Sequence, residues 1–450
     1  MYVIKNAFIV TMDPQRRLIR NGNIWIDDGQ VTNIGPADQV GVPQGDFKVF
    51  DGTDKIAIPG FVSAHNHLYS AVVRSLPYGG PEEETDSTFI SWIERFWFEY
   101  LEDRVTEDQL YAGTLVNCLD NIRSGITTTA DTVEGTRALP GVLDAVDEAL
   151  VESGIRAIVG YETTGRLGEK VAGMGLDANI RYFEKSMKRR GRVEGVFNVH
   201  TTFTCSTELL QTVAGEARKR GARRIQMHCS DDHFHSFDTT RRFGKRSAKY
   251  LEDIGFLGPD VLLAHCAYMD EFKDPPLFAK YSVNIAHNAE SSAIFGFNPN
   301  MARFWEAGVT VGLGLDGMKH SMFEVMRSSQ MLHRLRYYNM SFWPDEQLME
   351  MATLKGAQAL GLADQIGSLE IGKKADITLL ENHGSVPIFE KNIYNHIVSS
   401  SDRADVHSVF IEGDLVLENR AFTMVDEEKA RRKCNQAALD LWKENDWPTP

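Results

Sequence analysis

A chain of 450 residues, of which 42% are hydrophobic and 25% charged, has the composition of a globular protein with a large buried core. We find no apolar run that could cross a bilayer, no signal peptide and no CxxC spacing among the five cysteines, so we expect a cytoplasmic protein without a membrane partner. A formal net charge of −15 disfavours nucleic acid as a partner and favours a small, neutral or cationic substrate.

The predicted elements change character along the chain. Residues 1–57 contain short strands separated by Gly and Asp turns, with no clear helix. From residue 58 to residue 365, apolar segments rich in β-branched residues alternate with amphipathic stretches that can hold helices. The segments are GFVSAHNH, GITTTADT, IRAIVGYETT, VEGVFNVHTT, RIQMHCSDD, VLLAHCAY, YSVNIAHNA and VTVGLGLDG. Eight strand and helix repeats predict a parallel (β/α)8 barrel of the TIM type.

The strand pattern of the N-terminus returns near the other end of the chain. Residues 366–425 include GSLEIGKKADITLLE and VHSVFIEGDLVLENRAF, which again have strand character. Because chain ends often lie close together, we expect residues 1–57 and 366–425 to form one small, β-sandwich-like domain. Residues 426–450 are charged and amphipathic and predict a C-terminal helix. The fold class is therefore α/β, a barrel with a composite all-β domain.

Histidines recur at the ends of the predicted barrel strands. His65 and His67 close the first strand, and side chains at i and i+2 of a strand point the same way. An isolated HxH pair can also be structural, as hydrogen-bonded polar residues at a strand end. However, His200, His228, His265, His287 and Asp316 close the fourth to the eighth strands in turn. Active sites of such barrels lie at this end, so the set predicts a metal site.

The segments PGFVSAHNH, NVHTTFTCS, MHCSDD, LLAHCAY, VGLGLDGM and GSLEIGKKADITLL resemble the amidohydrolase superfamily, in the branch of cytosine, guanine and S-adenosylhomocysteine deaminases and triazine hydrolases. The resemblance covers nearly the whole chain, and it looks closest to selenium-metabolism-associated aminohydrolases and triazine chlorohydrolases. It implies a homo-oligomer that binds a divalent metal. Many members bridge two metals with a carboxylated lysine. Neither IVGYETT nor VFNVHTT contains a lysine, so we expect one ion, zinc or alternatively iron or manganese.

The resemblance also implies roles for individual residues. The metal ligands would be His65, His67, His228 and Asp316. A metal there brings the pKa of bound water toward 7, so that hydroxide exists at neutral pH. Asp316 would also accept a proton from this water, and His265 would polarise the leaving group or stabilise the developing charge.

One position departs from the family pattern. A glutamate in the motif HxxE normally shuttles a proton to the ring nitrogen and the departing amine, whereas this chain has Asp231 three residues after His228. We still expect a catalytic role for Asp231, although its side chain is one methylene shorter. The alternatives are a relay through water, a role taken by Asp232, a different substrate, lost activity, or a structural role of Asp231 as a loop carboxylate or helix N-cap.

Three residues are predicted to contact the substrate. His200 matches a substrate-contacting position of the resembling deaminases, and Asn288 follows the seventh strand. Trp92 lies in FISWIERFWFEY, where aromatic residues at helical spacing usually indicate core packing. The same tryptophan could instead belong to a lid and stack on a flat heterocycle.

We therefore predict a metal-dependent hydrolytic deaminase, in which hydroxide attacks an amidine-type carbon of a nitrogen heterocycle and ammonia leaves. A hydrolytic dechlorinase, or another C–N or C–X hydrolase of a triazine-like ring, would use the same site residues. A catalytically silent metal-binding scaffold is the third possibility, and only the aspartate at position 231 supports it.

Overall fold

A computed structural model describes residues 1–45, 47–76, 88–317, 320–384, 386–447 and 449. In chain order, the strands are β1 (Tyr2–Val10), β2 (Leu18–Asp27), β3 (Gln30–Pro36), β4 (Lys48–Asp51), β5 (Lys55–Pro59), β6 (Phe61–Asn66), β7 (Ile126–Val133), β8 (Arg156–Thr163), β9 (Val193–Gly195), β10 (Phe197–Val199), β11 (Ile225–Cys229), β12 (Val261–His265), β13 (Asn284–His287), β14 (Thr310–Leu313), β15 (Ile377–Glu381), β16 (Val406–Ile411), β17 (Asp414–Glu418) and β18 (Ala421–Phe422).

The α-helices are α1 (Phe89–Trp92), α2 (Glu107–Arg123), α3 (Val142–Ser153), α4 (Glu169–Arg189), α5 (Thr207–Arg220), α6 (His233–Phe243), α7 (Ser247–Asp253), α8 (Asp274–Tyr281), α9 (Ala289–Ile294), α10 (Met301–Glu306), α11 (Met322–Tyr337), α12 (Asp345–Ala352), α13 (Leu354–Leu360), α14 (Ile393–Asn395) and α15 (Glu427–Glu444). A π-helical segment, Ile93–Glu102, continues α1. Across the described ranges, none of the helices combines the length and apolar character that a membrane span requires.

The eight predicted barrel strands form one parallel sheet. Its order is β6-β7-β8-β10-β11-β12-β13-β14, and the short β9 pairs with β8 ahead of β10. The sheet closes where the N–H groups of Leu315 and Asp316 donate to the carbonyl of His65 at 3.0 and 3.1 Å. Gly314 allows this approach, because a Cβ there would lie 2.2 Å from Asn288 Oδ1 and 3.1 Å from the backbone nitrogen of His65. The (β/α)8 prediction is confirmed.

Small and branched side chains fill the barrel interior. The cluster includes Val62, Ala64, Ala130, Ile158, Val196, Leu262, Ala286 and residues of α13. Strand alternation continues from Ile158 to Glu162 and from Val196 to His200, which turns these two polar side chains inward at the carboxyl end of the barrel. Polar side chains thus gather at the carboxyl end of the barrel, where active sites of this architecture lie.

Local capping chemistry sets the limits of the surrounding helices. Thr106 and Gln109 form a capping box before α2, in which Thr106 N–H donates to Gln109 Oε1 at 2.9 Å. Ser206 Oγ accepts from the N–H of Leu209 at 3.1 Å before α5, and Gly221 ends that helix with φ 68°. Each N-cap stabilises its helix by roughly 0.5–2 kcal/mol, and the left-handed φ suits glycine.

Both chain ends build a second sheet of order β18-β17-β16-β15-β5-β1-β2-β3, with β4 beside β1. Strand β15 pairs antiparallel with β5 in the register Ile56↔Leu380, so residues from the two ends are direct neighbours. This confirms the small all-β domain predicted from the chain ends. Helix α15 follows this sheet and packs on α2. Residues 448 and 450 of the predicted C-terminal helical region lie outside the described residues.

A buried ion pair joins the barrel to this sheet. The guanidinium of Arg156, at the start of β8, donates to both carboxylate oxygens of Asp376 at 3.1 and 3.2 Å. The two side chains are 6% and 2% exposed. Close by, the Thr378 hydroxyl donates to the carbonyl of Gly125 at 2.9 Å. Removing one partner of such a pair costs about 3–5 kcal/mol, because a buried charge is left uncompensated.

Candidate active site

Five predicted residues converge at the carboxyl end of the barrel, and we call them the histidine centre: His65, His67, His228, His265 and Asp316. The Nε2 atoms of His67 and His228 are 3.2 Å apart. Asp316 Oδ1 lies 3.5 Å from His67 Nε2 and 3.9 Å from His65 Nε2, and Asp316 Oδ2 lies 3.8 Å from His265 Nε2. The five side chains are only 4–13% exposed.

Hydrogen bonds fix the tautomers of two of these imidazoles. His67 Nδ1 lies 3.1 Å from the carbonyl of Thr132, and His228 Nδ1 lies 2.6 Å from Glu162 Oε1. The Thr132 carbonyl only accepts, and the Glu162 carboxylate accepts in its ionised form, so with Glu162 ionised each Nδ1 carries the proton. The two Nε2 atoms then present lone pairs to each other across 3.2 Å, an arrangement that a bound cation stabilises.

The other donors of the centre fit a metal in the same way. His65 Nε2 is buried and has no hydrogen-bond partner in the described part of the chain. Ligand atoms of His65, His67 and Asp316 lie within 4.8 Å of one another, as do those of His65, His228 and His265. Imidazole nitrogens with one carboxylate oxygen are a ligand set that Zn²⁺ and its first-row neighbours accept. The residues present therefore fit a divalent ion.

Burial keeps the imidazoles neutral, and neighbouring side chains keep the aspartate charged. Burial lowers the pKa of His67 to about 3 and the pKa values of His228 and His265 to about 4. Burial alone would raise the pKa of Asp316, but His265, His67 and the Ser291 hydroxyl lower it below its ordinary value. That hydroxyl donates to Asp316 Oδ2 at 2.6 Å. Neutral imidazoles and an ionised carboxylate are the protonation states that metal binding requires.

Two residues of the centre have a backbone that L-residues rarely adopt. His265 has φ 70° and Asp316 has φ 63°, both in the left-handed region. Such conformations cost of order 1–3 kcal/mol and cluster at functional sites. Each lies where its strand ends, and the change in backbone direction turns the side chain toward the centre.

An aromatic cleft opens over the histidine centre. Its lining includes His67, Phe89, Trp92, Ile93, Trp97, Glu134, His200, His228, Asp231, His265, Phe295 and Asp316. Asp231 Oδ1 is buried without a hydrogen-bond partner among the described residues, and Asp231 Oδ2 lies 3.7 Å from His235 Nδ1. Burial, followed by the neighbouring Asp232 carboxylate, raises the pKa of Asp231 well above its usual range.

The N-cap of α6 is Asp232 and not Asp231. Asp232 Oδ1 accepts a hydrogen bond from the N–H of His235 at 2.9 Å, and the helix begins at His233. The alternative in which Asp231 serves as the cap therefore does not hold. Its carboxyl group instead borders the cleft.

The profile of the Amidohydrolase family matches residues 56–416. The chain belongs to the amidohydrolase family. It is 30% identical over 449 residues to a 5'-deoxyadenosine deaminase of Methanosarcina barkeri, covering 98% of both chains. It is 32% identical over 450 residues to a 5-methylthioadenosine/S-adenosylhomocysteine deaminase of Pelotomaculum thermopropionicum, again covering 98% of both. The crystal structure of a zinc-bound adenosine deaminase from Xanthomonas campestris shares the fold with a TM-score of 0.88, at 19% identity over 98% of both chains.

Of the three residues predicted to bind substrate, two border the cleft of this amidohydrolase and one does not. Trp92 ends α1, borders the cleft and packs on Phe295 with ring centroids 4.9 Å apart. His200 also borders the cleft, and its Nδ1 lies 2.7 Å from Thr204 Oγ1. Asn288 lies behind His265, with its amide nitrogen 3.3 Å from both ring nitrogens.

Sequence reasoning missed the glutamates behind the histidines. Glu162, in β8, contacts His228 Nδ1 at 2.6 Å and is not among the residues predicted from the sequence. Glu134, just after β7, accepts from Trp97 Nε1 at 2.6 Å and from the hydroxyl of Tyr69. The alternation of side chains along β8 could have identified Glu162. It lies four residues after Ile158, so both side chains point into the barrel. Glu134 follows its strand by one residue but lies four residues after the interior Ala130, so the same alternation indicates it.

Proposed function

We propose that this amidohydrolase is a metal-dependent hydrolytic deaminase, which replaces the exocyclic amine of a nitrogen heterocycle with oxygen. The observation that carries the proposal is the convergence of the histidine centre with Asp231 beneath one aromatic cleft. The activities in the names of the relatives favour a substrate with an adenine ring, such as 5'-deoxyadenosine or 5-methylthioadenosine.

Within this proposal, His65, His67, His228 and Asp316 hold one divalent ion, zinc in the first place and iron or manganese as alternatives. The ion supplies a Lewis acid that allows water to ionise near neutral pH. Glu162 fixes His228 with Nε2 toward this position, since its carboxylate accepts the proton of Nδ1 at 2.6 Å.

Two carboxyl groups transfer protons, and one imidazole stabilises the developing charge. Asp316, whose pKa lies below the ordinary value, is ionised and accepts a proton from the attacking water. Asp231, whose pKa is raised well above the ordinary value by burial, donates a proton to the ring nitrogen or the departing amine. His265 is neutral and hydrogen-bonds to the developing charge. A carbon–oxygen bond forms, the carbon–amine bond breaks, and ammonia leaves.

The cleft binds the flat ring. Trp92 offers an aromatic face on which the ring stacks, and the ring of His200 borders the same space. Asn288 contacts the substrate next to His265, whose ring its amide nitrogen approaches to 3.3 Å. The proposed partner is a small heterocyclic substrate, with neither nucleic acid nor membrane involved. A cytoplasmic location and assembly into a homo-oligomer belong to the same proposal.

A screen for ammonia release tests this function. The purified protein is stripped with a chelator, reloaded with Zn²⁺, Fe²⁺ or Mn²⁺, and assayed with 5'-deoxyadenosine, 5-methylthioadenosine, guanine, cytosine, pterins and aminotriazines. We expect metal-dependent ammonia release from at least one adenine-containing compound. A His65→Ala/His67→Ala variant, which lacks two proposed ligands, is expected to release none.

Chloride and alkylthiol release from substituted triazines are measured in parallel. Release of chloride without ammonia would replace the deaminase proposal with the dechlorinase alternative. Absence of turnover with every metal and every ring would overturn the proposed function and favour the silent scaffold.

A further inference from the structure

Aromatic side chains close the cleft over the histidine centre. Helix α1 and the π-helical segment Ile93–Glu102 supply Phe89, Trp92 and Trp97, and Phe295 meets them from the end of α9. We call residues 89–102 the roof. The cleft beneath it encloses about 40 Å³, whereas a cavity of roughly 150 Å³ is large enough to hold benzene. A flat ring can therefore enter the cleft only if the roof moves.

The π-helical form of the roof requires support from neighbouring elements. π-Helices are rare and mostly occur as single turns, yet this one spans ten residues. Its sequence, IERFWFEYLE, contains no Gly or Pro that would disfavour an ordinary α-helix. Because local sequence does not explain this geometry, tertiary contacts must stabilise it.

Two residues at the end of α15 provide such contacts, and we call them the latch. The ring of Trp447 stacks on Phe96 with centroids 5.5 Å apart and an interplanar angle of 20°, and its centroid lies 5.4 Å from that of Tyr100. The Asn445 amide donates to the carbonyl groups of Tyr100 and Leu441, both at 3.0 Å. Trp447 is 5% exposed and Asn445 is 6% exposed. The latch, Asn445 and Trp447, is thus buried against the roof.

The contacts of the latch continue as far as the cleft. Phe96 stacks in turn on Trp92 with centroids 5.6 Å apart, and Trp92 borders the cleft. We propose that the latch holds the roof over the histidine centre and must release before a flat ring can enter. The entry of a substrate ring rests on the proposed function, whereas the latch itself rests on the contacts of α15.

The base of the latch is firmly attached to the barrel. Helix α15 packs along α2. Trp442 Nε1 donates to the carbonyl of Val72 at 2.8 Å, and Gln109 Nε2 donates to the carbonyl of Ala437 at 3.3 Å. Release of the latch therefore moves the roof and leaves α15 in place.

The roof is held differently at its two halves. Trp97 Nε1 donates to Glu134 at 2.6 Å, which attaches the second half to the end of a barrel strand. The first half, residues 89–96, contacts the latch through Phe96. Opening therefore displaces the first half, and the stacking of Trp447 on Phe96 is the contact that breaks.

Hydrogen exchange, measured by mass spectrometry on the full-length metal-free protein, tests the latch. Trp447→Ala removes two aromatic contacts, so amide exchange in the roof should become about 10–100-fold faster. Trp447→Phe keeps a stacking ring and should restore most of the protection. Asn445→Ala removes only the hydrogen bond to Tyr100, should act in the same direction by less, and serves if Trp447→Ala fails to fold. Trp305→Ala removes an indole on α10, which Lys355 covers, and should leave roof exchange unchanged.

Zinc transfer tests whether the latch controls entry. Zn²⁺-loaded protein is mixed with pyridylazoresorcinol, a flat chromogenic chelator that has to enter the cleft to take the ion. Trp447→Ala should speed the transfer about 10–100-fold and leave the dissociation constant of Zn²⁺ within about twofold of the wild type, because a gate changes entry and exit alike. Damage to the histidine centre would instead raise the dissociation constant.

Two results would overturn the proposal. Unchanged roof exchange in both Trp447→Ala and Asn445→Ala would show that α15 does not hold the roof. Faster roof exchange with unchanged zinc transfer would show that the latch does not control entry. A wild type that binds no Zn²⁺ would overturn the proposed function, and roof exchange would then decide on the latch by itself.

Discussion

Replacing Ser291 with alanine should weaken metal binding at the histidine centre while leaving the fold intact. The Ser291 hydroxyl, on α9, donates to Asp316 Oδ2 at 2.6 Å, and the Gly317 N–H donates to Asp316 Oδ1 at 2.8 Å. These bonds orient the carboxylate toward His65 and His67. Without the hydroxyl, the carboxylate loses one of two fixed donors and can rotate away from the imidazoles.

The size of the effect follows from the kind of bond that is lost. A hydrogen bond to a charged group contributes roughly 1.5–3 kcal/mol. The mutation of a residue that orients a metal ligand typically lowers metal affinity about 10–100-fold, which corresponds to about 1.4–2.8 kcal/mol. The two ranges agree, so we expect the dissociation constant of Zn²⁺ at the histidine centre to rise about 10–100-fold.

A competition titration with a chromogenic chelator measures this constant. The adjacent Ser292 provides a matched control, because it is also buried on α9 but its hydroxyl has no hydrogen-bond partner among the described residues. Ser292→Ala removes the same atom and should leave the zinc affinity within about twofold of the wild type. Equal affinities for Ser291→Ala, Ser292→Ala and wild type would refute the role assigned to the hydroxyl.

Asp231, the Arg156 and Asp376 pair, and His228 give further tests. Asp231→Asn should lower the rate of ammonia release about 10²–10⁴-fold at unchanged zinc content; an unchanged rate would remove Asp231 from the mechanism. Arg156→Met should lower the free energy of unfolding in urea by about 3–5 kcal/mol, and Arg156→Met/Asp376→Leu by less, because no lone charge stays buried. In metal-free protein, protonation linked to His228 should lower the free energy of unfolding by about 3 kcal/mol as pH falls from 6.5 to 4. The reason is that this imidazole binds its proton more weakly in the folded protein than in the unfolded chain. A free energy of unfolding that stays constant over this pH range would contradict the prediction.

The barrel was predictable because its pattern is repeated. Eight apolar segments with intervening amphipathic stretches allow few other topologies, and strand ends in a parallel barrel share one face. For that reason His65, His228 and Asp316 could be assigned to one site from the sequence, although they are far apart along the chain. The register Ile56↔Leu380 between the two chain ends was not predictable in detail, because it depends on side-chain packing rather than on a period.

The detailed geometry of the site depends on local backbone conformation and tertiary contacts that the sequence pattern does not reveal. His265 and Asp316 reach the centre through left-handed residues at their strand ends, which strict alternation does not describe. Trp97, which borders the cleft, belongs to a π-helical segment that amphipathic periodicity does not predict. Glu134 is held by hydrogen bonds from the Tyr69 hydroxyl and the Trp97 indole, which the sequence does not reveal. In each case the tertiary contact, and not the residue type, makes the side chain part of the site.

The pairing of β5 with β15 has a consequence for biosynthesis. Strand β5 leaves the ribosome early, whereas β15 follows only after the complete barrel, so the central pair of the composite sheet cannot form until late in translation. Until then the nascent chain carries β5 with one edge unpaired, and free edges promote association between chains. Yield of this protein should therefore depend on elongation speed and on chaperones that shield the early strands.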